Sequence, residues 1–152
     1  MPERVDFYLL KEAGQDHLLT CACRIAGKAC LQGMRVYVRL ESSQQVEMFD
    51  QLLWSFNPTS FVPHCVYSGG GKTDGTTDGM TDGMTPVVIG DGPGPEGYEQ
   101  MLICLTATIP DDVDRYHRVA DLISNEDQAK QFGRVRFKQY RSSGIEPSTH
   151  KI

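Results

Sequence analysis

Met34-Arg35-Val36-Tyr37-Val38-Arg39-Leu40 alternates side-chain character and is rich in β-branched and aromatic residues, which is the signature of a strand. Ser42 or Ser43 then offers a helix cap, and Val46, Phe49, Leu52, Leu53 and Trp54 recur at helical steps. Upstream, Val5-Asp6-Phe7-Tyr8-Leu9-Leu10 is short, aromatic and apolar, and reads as an opening strand placed centrally in its sheet. Across residues 16–32, Leu18, Leu19, Ala22, Ile25, Ala26, Ala29 and Cys30 return every three or four positions until Gly33 stops them, the pattern of an amphipathic helix. Strand, helix, strand, helix with connections of helical length predicts an α/β fold, a Rossmann-like, mostly parallel sheet flanked by helices.

Short strands are expected at residues 61–65, 86–89 and 101–106. After Pro110 and two aspartates suited to a helix start, Val113, Tyr116, Val119, Ala120 and Ile123 keep a helical step, so a helix is expected there. A second helix is expected over residues 126–143, with Gly144 placed to end it. Between these elements Thr-Asp-Gly recurs at Thr73, Thr77 and Thr81, and residues 68–85 read as a low-complexity surface loop within a single domain spanning 1–152.

The 152 residues suffice for one sizeable core without metals or disulfides, and 39% hydrophobic with 23% charged residues is ordinary for a soluble globular chain. No apolar stretch approaches a membrane span, and Met1-Pro2-Glu3-Arg4-Val5-Asp6 lacks the layout of a signal peptide, so a cytoplasmic location without membrane contact is expected. The five cysteines show no C-x-x-C spacing and are expected to be free, mostly buried thiols. A net charge of −5 argues against indiscriminate binding along a phosphate backbone. The charge is uneven, however: Lys130, Arg134, Arg136, Lys138 and Arg141 crowd together, with no acid between Asp127 and Glu146, so a local anionic partner fits.

Motifs for chemistry fail on inspection. Gly71-Lys72-Thr73 resembles the tail of a phosphate-binding loop, but Val66 stands where the first glycine belongs and no helix pattern follows, so the fold is expected to lack that loop. Gly92-Pro93-Gly94-Pro95-Glu96-Gly97 satisfies the dinucleotide pattern by letter, yet it leads into a strand-like run and reads as a surface turn. Asp74, Asp78 and Asp82 match no calcium loop, and the four histidines show no metal-ligand spacing. No nucleophile elbow or acid/base pair is recognisable, so the expectation is a binding module without catalytic residues, metal or cofactor.

Three stretches carry a resemblance. Phe7-Tyr8-Leu9-Leu10 opens the chain, Leu53-Trp54 is followed by Phe61-Val62-Pro63-His64, and Arg136-Phe137-Lys138-Gln139-Tyr140-Arg141-Ser142-Ser143-Gly144 closes it. Together, in order and spacing along nearly the whole chain, they resemble the chi family of DNA polymerase III clamp-loader accessory subunits. Phe137 stands where the family carries tyrosine, and the Thr-Asp-Gly segment is an insertion-like departure.

The resemblance implies a non-catalytic adaptor in DNA replication with two partners on different surfaces. One is the psi subunit, which links to the clamp loader; Trp54 and Phe61 would face it. The other is the acidic C-terminal tail of single-stranded DNA-binding protein, which ends in phenylalanine. Ile123 and Phe137 would line a pocket for its ring, Arg134 would take its carboxylate, and Lys130, Lys138 and Arg141 would form the rim. Nucleic acid would be met only indirectly. Spacing agrees with a tail site, since Arg134, Phe137, Lys138 and Arg141 lie at steps of three, one and three along one helix face. The alternative from the residues alone is a direct nucleic-acid-binding module using that basic helix.

Overall fold

The computed structural model describes residues 2–55, 62–67 and 85–152. Phe61, the Gly71-Lys72-Thr73 motif and the Thr-Asp-Gly repeats lie outside them. Among the described residues, seven strands form one all-parallel sheet: β1 (Arg4–Leu9), β2 (Val36–Arg39), β3 (His64–Val66), β4 (Val87–Gly90), β5 (Met101–Cys104), β6 (Arg118–Ile123) and β7 (Ser148–Lys151), in the order β3-β4-β2-β5-β6-β1-β7. The described helices are α1 (Gln15–Leu31), α2 (Ser43–Ser55) and α3 (Asp127–Ser142), with a 3-10 turn at Val113–Arg115. A Rossmann-like α/β fold is therefore present.

One face of the sheet packs Val36, Val38, Val87, Ile89, Ile103 and Ala120 against α1 and α2. α1 turns Ala22, Cys23, Ala26 and Ala29 inward, and these small side chains let the helix lie close to the strands. The opposite face buries Phe7, Tyr37, Leu102, Val119, Ile123 and Tyr140, with Phe137 packed beside them. Only part of it lies under α3; the rest is covered by the segments around residues 91–100 and 105–117. Gly92-Pro93-Gly94-Pro95-Glu96-Gly97 is thus core cover as well as turn. A Cβ on Gly94 would stand 2.8 Å from the Tyr37 ring, and the Tyr37 hydroxyl donates to the Gly92 carbonyl. α1 and α3 end alike, on Gly33 and Gly144 at φ 78° and 92°, values that a side chain would strain. In each, the next amide returns 3.0 Å to a carbonyl one turn inside, from Met34 to Ala29 and from Ile145 to Tyr140.

Two expectations need correction, and one strand goes beyond them. Residues 118–123 form β6 rather than a helix. β6 lies between β5 and β1 and is buried from Val119 through Ile123, so its residues read as a nearly continuous apolar run whose spacing also satisfies a helix. β1 is not central: it lies between β6 and the edge strand β7. β7 itself, Ser148-Thr149-His150-Lys151, carries no apolar pattern because it is largely exposed.

Candidate functional site

α3 reaches the sheet with few apolar contacts, burying only Gly133, Arg136 and Tyr140. Gly133 permits close approach, since a Cβ there would be driven into the Ile123 side chain and would stand 3.0 Å from its Cγ1. Arg136 supplies the anchor. Its Nε lies 2.7 Å from Asp121 Oδ2, its Nη2 2.8 Å from Oδ1, and its Nη1 donates to the Ala107 carbonyl at 2.8 Å. Burial pushes the Asp121 carboxyl up, with Arg136 recovering part of the shift. Burial alone would lower Arg136, but the hydrogen bonds and charge of Asp121 outweigh it and hold the guanidinium above its ordinary range.

This docking leaves a cavity of about 260 Å³ between α3 and the β1–β6 strands, lined by Phe7, Leu9, Leu10, Ile123, Ser124, Lys130, Gly133, Arg134, Phe137 and Thr149. Its floor is apolar. The Phe137 ring lies 5.3 Å from that of Phe7, which holds one wall in place. Lys130 and Arg134 are exposed on α3 and bring cationic donors to the cavity. An apolar cavity of ~150 Å³ holds benzene. The space therefore accommodates a phenyl ring with an anionic group beside the two cations.

Four of the residues expected to bind the tail, Ile123, Lys130, Arg134 and Phe137, meet in this cavity. Lys138 instead lines a separate groove with Thr108, Ile109, Val135 and Gln139, because at about 100° per residue it sits at the edge of the expected face. Arg141 lies 3.9 Å from Glu146, both exposed. Arg136, counted in the basic cluster, is withdrawn into the interior. Ser124 lines the cavity and was not foreseen, since a lone serine after a misassigned element carries no sequence signal.

On the other side of the sheet, Trp54 lies in the last turn of α2 with 58% of its surface exposed and meets the His64 ring edge-on at 5.0 Å. His64 Nε2 lies 3.0 Å from Asp50 Oδ1. A groove with Leu19, Met48 and Leu52 adjoins the indole. A further apolar-lined cavity, about 580 Å³, lies along α1 near Tyr8 and Arg118, and it contains no site residue predicted from the sequence. Among the described residues no cluster of metal-ligating side chains occurs.

Comparison with known proteins decides the family: the family described as DNA polymerase III chi subunit, HolC, matches residues 1–148. The chain belongs to the DNA polymerase III chi family. A chi subunit from Pseudomonas aeruginosa is 34% identical over 98% of this chain and 96% of its own length. Those of Escherichia coli, at 30% over 94% of each chain, and Haemophilus influenzae, at 28% over 100% and 99%, are also similar. This chi family member is accordingly an accessory subunit of DNA polymerase III in replication. Its fold is similar to part of a solved structure of S. cerevisiae Dbp5 bound to RNA and ADP BeF3, with a TM-score of 0.69 at 8% identity over 99% of this chain and 42% of that one. Such low identity speaks for the fold alone.

Proposed function

We propose that the chain is a non-catalytic adaptor that joins the clamp loader, through the psi subunit, to the acidic C-terminal tail of single-stranded DNA-binding protein. The observation that carries the tail contact is the cavity under α3, apolar at Phe7, Ile123 and Phe137 and cationic at Lys130 and Arg134. A peptide ending in phenylalanine presents a ring and a carboxylate on one residue, and this arrangement complements both. The exposed Trp54 indole supports a separate psi surface, since aromatic anchors commonly dominate interfaces; Phe61, which lies outside the described residues, is proposed as a second psi contact.

Direct binding of nucleic acid by α3 is the weaker reading. A backbone binder needs a continuous basic stripe, whereas Arg136 is spent on Asp121, Lys138 lies in another groove and the chain carries −5 overall. Titrating the chain with an acidic peptide ending in a free-carboxylate phenylalanine, and in parallel with a single-stranded oligonucleotide, tests the choice. The peptide is expected to saturate and the oligonucleotide not to bind. Equal binding of both overturns the adaptor reading of α3.

A further inference from the structure

Ser124 is the first residue after β6, and it lines the α3 cavity while only 6% exposed. Its main-chain carbonyl accepts the Glu126 amide at 2.8 Å, but its Oγ is buried without a hydrogen-bond partner. The charged groups that share this condition have an opposite charge nearby: Asp6 and Arg118 face each other, and Arg39 faces Asp112. Among the described residues two hydroxyls share it, those of Tyr140 and Ser124, and of these Ser124 lines the cavity.

A buried hydroxyl without a partner is costly, and its one O–H can be satisfied only by an acceptor. Lys130 and Arg134 are donors without acceptor capacity, and a ligand that brings an acceptor beside two cations is anionic. We infer that Ser124 is a specificity-determining residue of the tail site, its hydroxyl donating to the peptide's terminal carboxylate from the strand side while Arg134 holds it from the helix side. This rests on the tail reading given above. The two donors come from different elements, so together they set the direction of the carboxylate. Arg134 alone, exposed on a long side chain, would fix its charge but not its orientation.

The test is a cycle of Ser124→Ala against peptide chemistry. A fluorescent acidic peptide ending in phenylalanine is prepared with a free terminal carboxylate and with a terminal amide, and both are titrated into the full chain and the variant. A hydrogen bond to a charged acceptor corresponds to about tenfold or more in affinity. Ser124→Ala is expected to weaken the free-acid peptide about tenfold and the amide by much less, while the thermal midpoint stays level or rises because an unsatisfied hydroxyl has been removed. Unchanged affinity for the acid, or an equal loss on acid and amide with a lower midpoint, overturns the role of Ser124 and leaves the tail site standing. Failure of the unmodified chain to bind the free-acid peptide overturns the tail reading and the role of Ser124 with it.

Discussion

Arg136 of α3 and Asp121 of β6 form a buried two-pronged ion pair at 2.7 and 2.8 Å, Arg136 being 4% exposed and Asp121 fully buried. The pair sits two residues before Ile123 and three after Gly133, so it sets the helix–strand register from which the cavity is made. Breaking such a pair costs more than replacing it, because the surviving charge is left in the interior.

Arg136→Met is expected to destabilise the chain by about 3–5 kcal/mol, while Arg136→Met with Asp121→Leu recovers most of the loss. Urea unfolding of the three proteins measures this. Equal loss in the single and double variants would show that the pair acts by shape rather than charge.

Gly133→Ala should run against helix propensity. An exposed helical Gly→Ala change gains about 1 kcal/mol, but here the new methyl meets Ile123 and a loss of about 1–3 kcal/mol is expected. The displaced Ile123 should also weaken binding of the acidic peptide. Adding Ile123→Val, which removes the colliding Cδ1, should restore part of both, as read by thermal unfolding and peptide titration.

The two cations named for the tail should separate. Arg134→Ala is expected to cost about 2–5 kcal/mol of peptide affinity, as expected when one side of a desolvated charge pair is lost. Lys138→Ala, whose side chain lines the other groove, should cost less than about 1 kcal/mol. A larger effect at Lys138 would move the peptide to that groove.

Trp54→Ala is expected to weaken psi binding by about 2 kcal/mol or more with little change in unfolding midpoint, since the indole is more than half exposed. Phe61→Ala is expected to weaken psi binding similarly without affecting the tail peptide. Pull-down with psi alongside circular dichroism separates interface loss from unfolding.

Burial pushes the thiols up, Cys23 to about 12 and Cys65 and Cys104 to about 11, from an ordinary value of 9.0. The folded chain therefore holds these protons more tightly than the unfolded one. Their contribution to stability is complete below about pH 9 and is lost as the pH climbs through the folded values. Urea midpoints should fall steadily between pH 8.5 and about 11, and Cys→Ser variants should flatten the decline.

Where the pattern is local, sequence and structure agree. α1, α2 and α3 are legible because each carries its own period and stops, and β2 because its alternation needs no partner to be seen. The family resemblance likewise named Ile123, Lys130, Arg134 and Phe137, which the fold brings together. β6 reads as a helix for a long-range reason: Val119, Ala120 and Ile123 keep a helical step, and only pairing with β5 and β1 makes the run a buried strand.

The sequence by itself thus determined α1, α2, α3 and β2, together with the family, whose motifs are contiguous. Tertiary structure decided which charges are chemistry and which are structure. Arg134 and Arg136 are near neighbours on one helix, yet one stays in solvent beside the cavity and the other is buried on Asp121. Their spacing turns them to opposite sides of the helix, but which side is buried is decided by the strand that each side chain meets. The same holds for Ser124, whose hydroxyl lacks a partner only because β6 and α3 close around it.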